Sequence, residues 1–523
     1  MVTCRLILLS HLLCWLITTS VWSESPDLTL ALRRTAMVKR IDELISRRAS
    51  EEGCEPAPIA SDAEFLRRVH LDLTGVIPRV AEVRRFLADD DSNKRSDKID
   101  FLLGSSRHAT HLANTWRNIM LPSNLSPEQL QSVAGVQNWL REQFIDNMRY
   151  DRMVGDLLVV TGGGDSGPAL FYTAMDLDPE KLAASTARIF LGLQMDCAKC
   201  HDHPFDHWTQ SDFWGYAAFF AQLKQPDAMP PGQGGRVIDL NAGEVMLPTT
   251  EDVVLPKFPN GSSLSALENG SRREQLAIWM ASRDNPFLSR AVVNRVWAHL
   301  FGIGLVNPVD DLRRDNPPSH PELFNELTSY FVEVGFDLRE LLRTLCHTKT
   351  YQRSSQVRDS VPPPTLFAVM AIKPFTAEQL YDSLNRSLLQ PAKLVANSLA
   401  VDAAFGDQER IAFLAKMRSS SRDRTQYDLG VPQALTLMNG AKVRDATDVK
   451  TSKLLTALDA SLFQDSERLN VLFLATLSRM PSAEEALVFN QHIADSITGE
   501  GKQAALADAL WALLNSAEYV LNH

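Results

Sequence analysis

The chain has 523 residues, 53 Lys and Arg against 64 Asp and Glu, and a formal charge of -11 at pH 7 with no block of one sign. Such a surface argues against nucleic acid as a partner, because phosphates are bound by a basic face. The length exceeds one ordinary hydrophobic core and predicts two to four domains, each large enough to bury a stable interior.

Residues 1–23 carry Arg5 as their one formal charge, then a mainly apolar run over 6–17, and close on Val21-Trp22-Ser23. The apolar core is shorter than the ~20 residues that cross a bilayer, so this reads as a secretory signal and not a membrane span. No later segment is long and apolar enough to span, which predicts no membrane span after cleavage. Of the six cysteines, Cys4 and Cys14 leave with the signal. Cys54 and Cys346 are free to pair in an oxidising compartment if the fold brings them together.

Helix signals dominate the rest. A short helical lead is expected over about 28–47. Ser61/Glu64, Ser126/Gln129, Ser319/Glu322, Thr376/Gln379 and Ser482/Glu485 match the reciprocal capping pattern, with Pro127 at a first helical position. Over 180–193, Leu182, Ile189, Phe190 and Leu193 share a helical face and Gly192 prepares a stop. From 225 to 263, Pro226, Pro230, Pro231 and Gly232, Gly234, Gly235 break the helical texture. Short β-like pieces follow at 236–240 and 245–247, giving an irregular connector with a small hairpin. Helical texture resumes at Arg272, is interrupted by 354–364 with three consecutive prolines, and ends in a terminal helix over about 502–521.

Just behind the stop at Gly192 stands Cys197-Ala198-Lys199-Cys200-His201. Two thiols three apart with a histidine directly after them is the spacing that fixes a haem covalently: the thiols bond the porphyrin vinyl groups and the imidazole falls under the iron. That attachment takes place on the far side of the bacterial inner membrane, so the export signal and the motif agree. His203 and His207 add donors, however. Cys197, Cys200, His203 and His207 form C-x2-C-x2-H-x3-H, a set that zinc or another non-haem metal accepts, although the middle spacing is short for a zinc finger. A redox dithiol or a structural disulfide between the two cysteines stays open as well. Trp208, Phe213, Trp214, Phe219 and Phe220 supply an aromatic wall that suits a porphyrin or a plain helical core.

A bound haem would take its sixth ligand from the opposite face, which excludes the neighbouring Met195 and His203 on reach. Met229, in Ala228-Met229-Pro230-Pro231, is the distal candidate, followed by Met246, His299, His320 and His347. A Met/His pair would raise the potential and suit electron transfer. Other constellations are weaker. Gly162-Gly163-Gly164 and Gly167 lack the GK[ST] of a phosphate loop and read as a turn. Arg290/Asn294 and Arg295/His299 fall four apart on helix faces, where they could meet a haem propionate or simply pair along the helix. Asp310-Asp311 with Arg313-Arg314 reads as a solvated or salt-bridged turn. No nucleophile elbow, HExxH or selectable triad is present, so no catalytic residue is assigned.

Longer motifs carry a family resemblance. Phe65-Leu66-Arg67-Arg68-Val69-His70-Leu71-Asp72-Leu73-Thr74-Gly75 with Ile77-Pro78, and then Cys197 to His201 with Asp202-His203-Pro204-Phe205, Trp208-Thr209-Gln210 and Phe213, closely resemble the planctomycete cytochrome-associated family called domain of unknown function 1549. The second half resembles its companion, domain of unknown function 1553, through Ser289-Arg290-Ala291-Val292-Val293-Asn294-Arg295-Val296-Trp297, Pro318-Ser319-His320-Pro321-Glu322-Leu323, Thr350-Tyr351-Gln352, Pro432-Gln433-Ala434-Leu435, Leu513-Leu514-Asn515-Ser516 and Asn522-His523. The resemblance implies an exported protein, often with a cytochrome-like domain in front, and no established activity. With only the short helical lead expected ahead of the match, that domain would come from a redox partner protein.

The expected fold is therefore mainly α: two helical regions joined by a Pro/Gly-rich connector with minor β. The expected division is a signal at 1–23, a helical lead at 24–55, a 1549-like helical domain with the CxxCH at 56–224, the connector at 225–270 and a 1553-like helical domain at 271–523. The expected function is one-electron transfer through haem c held by Cys197, Cys200 and His201, in an exported, periplasmic or extracellular protein. The alternatives are a zinc or iron enzyme or binding protein using the CxxCHxH cluster, and a non-catalytic scaffold stapled by a disulfide.

Overall fold

Helices carry nearly all the regular structure in the computed structural model, which describes residues 26–122, 125, 127–161, 167–224, 237–240, 242–248, 250–262, 270–357, 361–389, 408–417, 430–460, 463–496 and 499–523. The expected signal at 1–23, Gly162 to Gly164 and Met229 lie outside these residues. Among the described residues no helix is long and apolar enough to cross a membrane. The β content is three antiparallel pairs: Leu223–Lys224 with Ile238–Asp239, Val245–Met246 with Val253–Val254, and Lys373–Pro374 with Leu521–Asn522.

Local signals set most helix starts. Ser61 accepts from the Glu64 amide and opens Asp62–Thr74, and full capping boxes open Ala377–Ser387 at Thr376 and Ala483–Ala494 at Ser482, each satisfying backbone donors the first turn leaves free. The box at Ser271/Glu274, which opens Arg272–Met280, obeys the same pattern. One expected cap moves. The helix Pro321–Glu333 takes His320 as its N-cap, and Ser319 instead donates its amide to Leu305 O at 2.7 Å; Pro321, with its fixed φ and no N–H, occupies the first helical position. The terminal helix also differs from expectation, running Gly499–Leu514 and giving way to the strand Leu521–Asn522.

Two large hydrophobic cores and one small cluster, Ala49 with Leu366 and Ala368, result among the described residues. The first runs from Ile41 to Met370 with Leu474, so it is built from both family-like regions. The second gathers Phe375 to Tyr519 and receives Leu71 and Ile77 from the N-terminal part. The helix Asp62–Thr74 thus faces both, with Phe65, Leu66, Val69 and Leu73 on one side and Leu71 on the other. Burial of each such side chain stabilises by roughly 1.5–3 kcal/mol. The lead is a 26-residue helix, Pro26–Glu51, which lies on the C-terminal half: Arg34 pairs with Glu340 at 2.7 Å, Arg40 with Glu326 at 2.8 Å, and Asp42 accepts from the amides of Lys349 and Thr350 at 2.9 Å.

The family motifs meet in a buried polar joint between these cores. Asp72 accepts from Tyr351 Oη at 2.9 Å, Lys373 Nζ at 2.7 Å and Asn522 Nδ2 at 2.7 Å. Arg68 reaches the carbonyls of Tyr351 and Arg353 and the Glu64 carboxylate, while Arg67 reaches those of Thr476, Glu518 and Tyr519. Buried charges are tolerated only when so paired. This convergence ties chain positions hundreds of residues apart.

Candidate functional site

The helix Pro179–Thr186 continues as a π turn, Ala187–Leu191, and stops at Gly192 in the left-handed region (φ 69°). A side chain there would be strained in backbone and would also lie 2.7 Å from Leu312 Cδ1. Close approach is used: Gly192 O accepts from the Leu312 amide at 2.9 Å, which brings the 310–315 turn against the segment leading into the cysteines. Leu193 and Met195 bury, and the chain surfaces as the 3-10 turn Asp196–Lys199.

Cys197 and Cys200 are exposed and unpaired, and His201 beside them is exposed. The turn is held from behind. Gln210 Nε2 donates to the carbonyls of Lys199 and Cys200, both at 3.1 Å, Trp214 Nε1 donates to Lys199 O at 3.0 Å, and the Gln210 amide donates to Asp202 Oδ1 at 2.9 Å. His201 Nδ1 donates to Asp202 O at 2.8 Å. With the proton on Nδ1, Nε2 keeps its lone pair for a metal.

The other histidines of the loop are arranged differently. The Phe205 amide donates to His203 Nδ1 at 3.2 Å, which puts the ring proton of His203 on Nε2. His207 donates from Nδ1 to Asp206 Oδ1 at 2.7 Å and packs its ring on Trp208 with centroids 4.2 Å apart. Among the described residues no three His, Cys, Asp or Glu side chains are grouped to hold a metal ion; Cys197, Cys200, His203 and His207 are not gathered here.

The aromatic wall is core. Trp208, Phe213, Trp214, Phe219 and Phe220 are all buried, so none lines open space as a free porphyrin surface. Phe205 does the reverse, standing 69% exposed. The loop 204–207 forms one side of a cleft of about 760 Å³ whose other side is 313–315, with Arg313 and Arg314. In the adjoining turn, burial raises the Asp311 carboxyl pKa; Arg313 opposes that rise, Asp206 adds to it and His203 opposes it.

The remaining candidates separate. Arg290 bonds Asn325 and covers Phe324; Asn294 is fully buried and holds the 306–309 backbone; Arg295 pairs with Asp310, which Arg188 also binds at 3.0 Å. These arginines serve internal pairing and not a surface anion. His299 Nε2 donates to Asp72 O at 2.9 Å, and both ring nitrogens of His347 are engaged, by Arg343 O at 2.7 Å and Ser96 Oγ at 3.0 Å. His320 is buried, and Met246 is exposed on the strand whose Val245 is buried. Cys346 is buried and Cys54 half-buried, and both are free thiols.

Fold and site together define a helical protein that presents a CxxCH turn at its surface, backed by an aromatic core. Residues 40–225 match PSCyt2, described as a protein of unknown function (DUF1549), and residues 272–394 match PSD1, a protein of unknown function (DUF1553). The chain belongs to the proteins that carry these two families in this order. No curated protein and no solved structure matches it.

Proposed function

We propose that the chain is an exported c-type haem protein that passes single electrons, with Cys197 and Cys200 as thioether donors, His201 as the proximal ligand and a redox partner carrying a cytochrome domain. The observation that carries this reading is the state of the turn: two exposed free thiols beside an imidazole whose Nδ1 is held by a carbonyl, leaving Nε2 bare. A haem bound there supplies the one-electron couple. The chain's residues supply the rest. Cys197 and Cys200 would hold the group through thioether bonds and His201 would ligate its iron; Gln210 and Trp214, by fixing the Lys199 and Cys200 carbonyls, would keep the two sulfurs in register with that imidazole. Met229 remains the proposed distal ligand, and residues 1–23 the export signal the chemistry requires.

The test is expression in a host with haem-attachment machinery and export. A Soret band that stays with the denatured polypeptide supports the proposal, and His201→Ala should change the spectrum while thioethers still form. Colourless, iron-free protein from that host overturns it. Stoichiometric zinc or iron without the band would favour the metal set Cys197, Cys200, His203 and His207.

A further inference from the structure

The buried joint around Asp72 holds more than charge pairing requires. Lys373 and Asn522 are direct partners across the antiparallel strands Lys373–Pro374 and Leu521–Asn522, so their side chains leave the ladder on one face. Both end on one atom: Asp72 Oδ1 accepts from Lys373 Nζ at 2.7 Å and from Asn522 Nδ2 at 2.7 Å. Asp72 Oδ2 is held by the Tyr351 hydroxyl at 2.9 Å, and Nζ is fixed further by the carbonyls of Leu300 at 2.6 Å and His299 at 3.1 Å. Water is largely excluded, with the Asp72 side chain 3% exposed, that of Lys373 15% and Asn522 2%. Lys373, Asp72 and Tyr351 satisfy one another without the carboxamide. The carboxamide is poorly served in return: Asn522 Oδ1 is buried with no hydrogen-bond partner among the described residues, a cost that an apolar side chain would avoid. A primary amine and a carboxamide held on one carboxylate oxygen, away from water, are the complete reactant set for an amide exchange.

We infer that Lys373 and Asn522 join through an intramolecular isopeptide bond, with Asp72 as the proton relay. Asp72 Oδ1 takes a proton from the Nζ ammonium, the freed lone pair attacks Asn522 Cγ, and Asp72 passes the proton on to Nδ2. The Cγ–Nδ2 bond breaks as the Nζ–Cγ bond is completed; Nδ2 leaves with the second proton shed by Nζ as ammonium, and a neutral amide N–H remains. No oxidant or co-reactant enters. The relay has to reach both the nitrogen that loses protons and the nitrogen that gains them, and Asp72 Oδ1 is within hydrogen-bond distance of each. Burial lowers the Lys373 pKa against the opposing pull of Asp72, which eases release of the first proton. The ion pair is the form that precedes the bond. Once formed, the bond ties the two strands beside Phe375 and Tyr519 of the second core, and it is independent of the haem reading.

The test is mass spectrometry of the full-length protein, folded and then denatured. Wild type should weigh one ammonia less than its sequence requires, and a tryptic digest should yield a branched peptide joining 359–386, which Pro374 protects from cleavage after Lys373, to 503–523. Lys373→Arg keeps a cation against Asp72 but offers no attacking amine, and Asn522→Ala removes the carboxamide; each should show the full mass and no branched peptide while keeping the helical circular dichroism of wild type. Asp72→Asn, which preserves shape without the relay, should also remain unlinked. Folded wild type at full mass overturns the inference, as does a loss of ammonia without the branched peptide or one that persists in Lys373→Arg or Asn522→Ala. A bond that still forms in Asp72→Asn overturns the relay.

Discussion

Replacing Asp72 by alanine removes the acceptor at the centre of the joint. The carboxylate is 3% exposed and receives Lys373, Tyr351 and Asn522 at 2.7–2.9 Å. Breaking one partner of a buried pair costs about 3–5 kcal/mol. Lys373 keeps Leu300 O at 2.6 Å and His299 O at 3.1 Å, which favours the low end, while the orphaned Tyr351 hydroxyl and Asn522 amide add to the loss. A cost of about 3–4 kcal/mol is therefore expected, a large share of the roughly 5–15 kcal/mol of a typical protein. Because Leu521–Asn522 pairs with Lys373–Pro374, the C-terminus should loosen as well. Urea unfolding gives the first quantity and carboxypeptidase trimming the second. Asp72→Ala with Lys373→Met, which removes both charges, should recover at least about 1 kcal/mol of the loss. A single variant within about 1 kcal/mol of wild type, or a double variant no better than the single, would refute the buried ion pair as the strut of this joint.

Acid should weaken the fold through its buried histidines. Burial lowers the pKa of His108 and His320 to about 4 and pushes His70 and His111 well below their ordinary value, with His299 also lowered. A folded pKa below the unfolded one means full stability above about pH 6.5 and loss as pH falls toward 4, on the order of 3 kcal/mol for His108 alone; melting temperatures across that window should fall, and a flat profile contradicts the assignment. Gly75→Ala places a Cβ at φ 69° and 2.4 Å from His111 Nδ1, so it should destabilise by about 2 kcal/mol or more, where a glycine in ordinary backbone would have been stabilised; a raised melting temperature is the contrary result. Gln210→Ala deletes two bonds to the motif's carbonyls, each about 1 kcal/mol. On the haem reading proposed above, it should lower the fraction of chains carrying covalent pigment, read from the Soret-to-protein ratio of denatured material, and an unchanged ratio would show that the Gln210 side chain does not set the turn.

What could be read from the chain alone was whatever one or two turns of backbone decide. The caps at Ser61, Thr376 and Ser482 were legible because each is a bond between residues three apart, and the CxxCH because its donors are contiguous. Where two local signals competed, at Ser319 and Pro321, spacing could not say which residue the helix would take as its cap. Tertiary structure decided the rest. Asp72, Tyr351, Lys373 and Asn522 stand far apart in the chain with no shared local pattern, and only folding makes them one network. Helix spacing left Arg290 and Arg295 open to an anion or to pairing along the helix, and packing gives them internal partners on other elements, whereas Arg313 and Arg314 form a cleft wall on the turn that Gly192 admits at close range. Helix signals act within a few residues, but burial and pairing are settled by surfaces that meet from distant parts of the chain.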